Sequence, residues 1–217
     1  MTKRILLAAF ALFLLSVVPT QAQVTVQLGG LGNNLGGTVA GDSIGPYTGT
    51  VNGVYTQFFC IDFATNVGAG ASWNAVVTLL ANSSSYVNTL QYTNNGKSNA
   101  IALNNYLVMA YLATQAETAL AANNFTALAQ DQFAIWSFTG GPDPYGTNAT
   151  LLAAAQAAVT GGFTVTGWQI LSPAPLGSGG QEFLVATPES PSTVLFMLGI
   201  VLVAVAAAYR KMQQRAA

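Results

Sequence analysis

The sequence predicts an α+β domain in which a β-rich framework, sandwich or barrel-like, is interrupted by a block of about three helices. Three observations point there. Residues 23–81 are Gly-rich and carry short runs in which Val, Thr, Tyr and Phe recur. Residues 98–159 shift to Ala, Leu, Asn and Gln at helical spacing, and residues 162–187 return to strand-like composition.

Taken in order, "VTVQL", "GTVNGVYTQFFCIDF" and "SWNAVVTLLA" read as strands, with turns at "LGG", "GNN" and "VGAGA". The three helices are expected in "SNAIALNNYLVMAYLATQAETALA", "FTALAQDQFAIWSF" and "NATLLAAAQAAV". Two strands close the body, "GFTVTGWQIL" and "QEFLVAT", on either side of the Pro/Gly-rich loop "SPAPLGSGG".

Both ends carry addresses. Residues 1–22 combine Lys3 and Arg4, an apolar run over 5–18 and small residues before a polar junction, which reads as a secretory signal peptide cut after Ala22. The apolar run is shorter than a bilayer span, which disfavours an N-terminal anchor. At the other end, an uncharged apolar stretch that reads as a transmembrane helix over 193–209 is followed at once by Arg210, Lys211 and Arg215. By the positive-inside rule that cluster stays cytoplasmic and the body sits outside the inner membrane.

Pro188, Glu189, Ser190, Pro191 and Ser192, then the apolar helix, then the basic end resemble the PEP-CTERM sorting signal, in which Pro-Glu-Pro is usual. The resemblance covers residues 188–217 and implies an exosortase-type membrane peptidase as a partner. It also implies inner-membrane anchoring before processing, then release to the cell surface or an extracellular polysaccharide matrix. A permanent single-span anchor is the plainer alternative.

Between the addresses, residues 23–187 are one domain by length. Asp42, Asp62, Glu117, Asp131, Asp143 and Glu182 stand against Lys97 alone, a net charge of −5. Without a basic patch, nucleic acid is not an expected partner. The chain has no histidine, which removes Ser-His-Asp and Cys-His hydrolases and the common His-based metal sites. No metal or other cofactor is expected. A calcium site of carboxylates and carbonyls remains open, although "GGPDPYGTN", with Asp143 between two prolines, reads first as a turn. Glycoside hydrolysis would need a carboxylate pair about 5 to 10 Å apart in a cleft, and no spacing singles one out. The domain is not expected to be an enzyme.

The chain holds one cysteine, Cys60, in "FFCIDF". In the second helix Leu128, Gln132 and Ile135 form one stripe and Ala129, Phe133 and Trp136 its neighbour, so Gln132 is aimed at the core while Asp131 points elsewhere. A buried primary amide without partners costs about 1 to 3 kcal/mol, so Gln132 needs hydrogen bonds or a reason to lose its amide.

Cys60 between Phe59 and Ile61, with Gln132, Phe133, Ala134, Ile135, Trp136, Ser137 and Phe138 downstream, resembles the thioester domains of bacterial surface adhesins. Asp131 stands where that family usually has Thr. The resemblance implies that the Cys60 sulfur is acylated by the Gln132 side chain with loss of ammonia. The product is a latent electrophile for an amine or hydroxyl on a surface protein or extracellular polysaccharide. Phe59, Ile61, Ile135, Trp136 and Phe138 would support that bond. The opposing expectation is a non-covalent structural component of the matrix, with Cys60 an inert core cysteine.

Overall fold

A computed structural model describes residues 23–29, 35–80, 85–165 and 167–186. The expected signal peptide, the sorting residues 188–192, the helix over 193–209 and Arg210 and Lys211 all lie outside the described residues. What is described is mixed α and β and rich in strand.

Six strands close into an antiparallel barrel. In chain order they are β1 (Gln23–Leu28), β4 (Tyr47–Val51), β5 (Val54–Cys60), β6 (Ser72–Leu79), β7 (Trp168–Pro173) and β8 (Phe183–Ala186). Around the barrel the order is β1-β4-β5-β8-β7-β6, with β1 closing the ring by pairing β4 on one side and β6 on the other. Two-residue strands β2 (Thr38–Val39) and β3 (Asp42–Ser43) form a separate small hairpin ahead of β4.

The long β-type run expected over 49–63 is folded back on itself, with Val51 paired to Val54. Asn52 and Gly53 take φ of 50° and 79°, the doubly left-handed turn that Asn-Gly favours because its twist matches that of the flanking strands. The strand expected from residue 162 starts only at Trp168, because Gly162 and Gly167 both adopt left-handed φ and break the run.

Between β6 and β7 the chain leaves the barrel for the helical block: α1 (Leu90–Asn94), α2 (Asn99–Ala121), α3 (Phe125–Trp136) and α4 (Asn148–Thr160). The last three are the helices expected from sequence, and the short α1 is an addition. The Ser98 and Asn124 side chains accept from Ile101 N and Ala127 N, capping α2 and α3. Asp143 accepts from the backbone N–H of both Thr147 and Asn148, so its carboxylate fastens the turn that enters α4.

Helix α3 packs against α2, α4 and β5. All six of its last residues, Asp131 to Trp136, are therefore buried. This corrects the expectation that Asp131 points away: it is 6% exposed, and burial pushes its carboxyl up to about 7. A helix covered on several sides has no polar face to offer, so a two-stripe reading fails there.

The barrel lumen is aromatic. Phe183, opposite Cys60 in the β5–β8 ladder, lies 5.3 Å from Phe58, 5.7 Å from Trp73 and 6.3 Å from Tyr47 between ring centroids. On the opposite strand face Phe59 packs on Trp168 at 6.2 Å.

Glu182, just before β8, is 1% exposed and accepts from the hydroxyls of Tyr106 on α2 and Ser172 on β7 and from the backbone N–H of Leu90 on α1. One carboxylate thus ties two helices to the barrel wall.

Candidate functional site

Cys60 is the last residue of β5 and is 1% exposed. Strand alternation puts it on the lumen face with Phe58, at the end of the barrel nearest α3. Its thiol donates to the Asp62 carbonyl at 3.3 Å. Burial is the main reason its thiol is pushed up to about 12, with smaller contributions from the Asp62 and Glu182 carboxylates. The Asp62 main chain and the Trp136 indole act the other way, favouring the thiolate. At neutral pH the free thiol is protonated and a poor nucleophile toward solvent reagents.

Gln132, 72 positions further on, is fully buried, and its Nε2 donates to the Cys60 carbonyl oxygen at 2.8 Å. Its Oε1 has no hydrogen-bond partner. The amide is held from behind by Gly45, where a Cβ would come within 2.8 Å of Oε1 and 3.2 Å of the Tyr47 ring. Neither Gly45 nor Tyr47 carried a signal in the sequence, since the first acts only by lacking a side chain.

Of the expected supporting residues, Ile61 is buried beside the pair, its N–H donating to the Glu182 carbonyl at 3.1 Å. Ile135 is fully buried in α3. Trp136 is 3% exposed, with its indole N–H unpaired. Phe59 sits on the other face of β5 from Cys60, under Trp168. Phe138, in the 3₁₀ turn Ser137–Thr139, packs partly buried at the edge of the core.

A half-open cavity of about 430 Å³ is lined among others by Asp42, Tyr47, Cys60, Asp62, Trp136 and Gln181, with Gln132 behind this lining. Its lining holds two carboxylates and no cation; Lys97, the sole described Lys or Arg, lies elsewhere. Asp42 comes from the β2–β3 hairpin, and the Tyr47 hydroxyl donates to the Ser43 carbonyl of the same hairpin. The side-chain amide of Gln181 donates to the Asp62 and Thr65 carbonyls, fixing the opposite wall.

No family model, curated protein or solved structure matches the chain.

The Gly45 contact yields a direct expectation. Gly45→Ala places a methyl group against Oε1 and the Tyr47 ring, so either the amide or the loop must move, at a cost of about 1 to 3 kcal/mol. Thermal unfolding of the variant should show that loss. If the variant is as stable as the wild type, Gly45 is not what seats Gln132.

Proposed function

We propose that the domain is an exported surface or extracellular-matrix protein carrying an internal thioester between Cys60 and Gln132, through which it attaches covalently to a partner. The observation that carries this reading is the burial of both residues where α3 meets the end of β5, with the Gln132 carboxamide donating to the main-chain carbonyl of Cys60 and its own carbonyl left unpaired. In the bond-forming step Sγ attacks Cδ of Gln132. The C–S bond forms, the C–N bond breaks, and the thiol proton leaves with the nitrogen as ammonia. An unpaired buried amide oxygen is costly. A thioester oxygen is a weaker acceptor than an amide oxygen and loses less by having no donor.

The anionic lining of the cavity favours an amine over an acidic nucleophile, because a cationic group is drawn toward Asp42 and Asp62. A hydroxyl on a polysaccharide remains the other acceptor class. For export, β1 is in the barrel ladder from Gln23 onward and β8 ends at Ala186. A cut after Ala22 and another near Pro188 to Ser192 would leave the barrel whole. An exosortase-type peptidase would make the second cut.

The near-complete burial and suppressed ionisation of Cys60 also fit the second reading, a non-covalent matrix component with an inert core cysteine.

Intact mass of the secreted full-length product separates the readings. The thioester predicts a mass about 17 Da below sequence, from loss of ammonia, restored with an added adduct by methylamine. Full sequence mass for the same residues, or a deficit that methylamine leaves unchanged, as from cyclisation of an N-terminal Gln23, selects the inert cysteine. Alkylation has to be done in denaturant, since burial alone shields the native thiol. The same spectrum reports the ends: mature protein starting at Gln23 and ending near residues 188–192 supports sorting, whereas retention of Arg210 and Lys211 on all of it selects the plain anchor.

A further inference from the structure

Trp136 follows Gln132 by four residues on α3, one turn further along the same side. Its ring is fixed by Phe63 at 5.2 Å and by Phe133, edge-on, at 5.3 Å, and Gly141 leaves no space behind it, since a Cβ there would meet the Trp136 Cβ at 2.5 Å. The indole N–H is buried and has no acceptor. Orphaned buried donors are uncommon and costly, and they are retained where a partner arrives at some stage of a process. Trp136 and Cys60 line the same cavity. The indole favours the charged form of the Cys60 sulfur, against the Asp62 and Glu182 carboxylates that oppose it.

We propose, resting on the thioester reading, that the Trp136 indole N–H is a catalytic donor that receives the charge developing on the Cys60 sulfur when a nucleophile opens the thioester. An incoming amine attacks Cδ of Gln132, the C–N bond of the new amide forms and the C–S bond breaks. The electron pair stays on sulfur until it takes the proton that the amine gives up. A sulfur so desolvated and so near carboxylates is a poor leaving group unless a fixed donor meets it. The thioester sulfur, its lone pairs drawn toward the carbonyl, is a weak acceptor. The freed sulfur is a better one, so the donor is matched to the departing group and not to the resting bond.

The test compares full-length secreted wild type with Trp136→Phe, which keeps the ring and removes the N–H. In wild type a mass deficit that methylamine reverses with an added adduct establishes the thioester; its absence overturns the thioester reading and this proposal together. With the deficit present in both proteins, methylamine should open Trp136→Phe about tenfold or more slowly, as for loss of one fixed donor. Opening at the wild-type rate overturns the role of Trp136 while leaving the thioester standing. If Trp136→Phe forms no thioester, the indole proton resonance of Trp136 in wild type decides. A downfield move on methylamine opening supports the proposal, and an unmoved resonance overturns it.

Discussion

Cys60→Ala and Gln132→Ala should each abolish both the mass deficit and covalent capture of an amine, a complete loss and not a graded one. In the proposed thioester the thiol and the carboxamide form one bond, so the double variant should lose no more than either single variant. Each variant also gives up the cross-link that would close the chain between residues 60 and 132, typically about 2 to 4 kcal/mol for a covalent loop of this kind, on top of local losses. Removing the Cys60 sulfur from a 1% exposed position leaves a small void, on the order of 1 kcal/mol. Gln132→Ala leaves a larger void, and where the wild type carries no thioester it loses the 2.8 Å bond to the Cys60 carbonyl but also removes an orphaned acceptor. Circular dichroism and thermal unfolding check that the variants fold, and mass and amine capture check the chemistry. Residual capture in folded Cys60→Ala would mean that a different residue forms the adduct.

Acidification from pH 8 to pH 5 should stabilise the domain. Burial pushes the Glu182 carboxyl up from 4.5 to about 7, outweighing the three donors that favour its charged form. A group whose folded-state value is raised contributes stability that is fully present below its unfolded value. That stability is lost as pH rises through the folded value. The window is therefore about 4.5 to 7, with stability falling as pH rises across it. Asp131 adds in the same direction, being pushed up from 3.8 to about 7 by burial.

For Glu182 the swing is on the order of a few kcal/mol, or about 5 to 10 °C in Tm for a domain of this size. Melting curves of wild type and Glu182→Gln at both pH values test it. The wild-type difference should be present and the variant's smaller, whereas a higher melting point at pH 8 in the wild type would show that the charged carboxylate is the stable form.

The helices were legible because their signals are local. Inward-facing spacing runs through α2 and α3, and Ser98 and Asn124 sit at their starts with side chains suited to capping. Gln132 was legible for the same reason, as a polar residue on an apolar stripe. What failed was non-local or subtractive. Barrel closure depends on β1 finding both β4 and β6, and strand periodicity carries no record of partners. The burial of Asp131 depends on which elements cover α3. Gly45 works through an absent side chain, and Glu182 gave no sign that its three donors would come from α1, α2 and β7. The Asn52-Gly53 turn has a local signal, an Asn-Gly pair flanked by β-type residues.

Strand β8 has a mechanical consequence. Opening a Cys60–Gln132 bond leaves the partner joined to Gln132, so β5 drops out of the covalent path. Tension between the partner and the C-terminal side runs from α3 through α4 and β7 into β8, which ends at Ala186. Such a load pulls β8 along its own axis, between β5 and β7, both antiparallel to it. The hydrogen bonds lie across that direction, so they are sheared together and do not peel one after another. Glu182 sits at the trailing end of this strand, bonded to α1, α2 and β7, and acts as a bolt that must be drawn before β8 can slide.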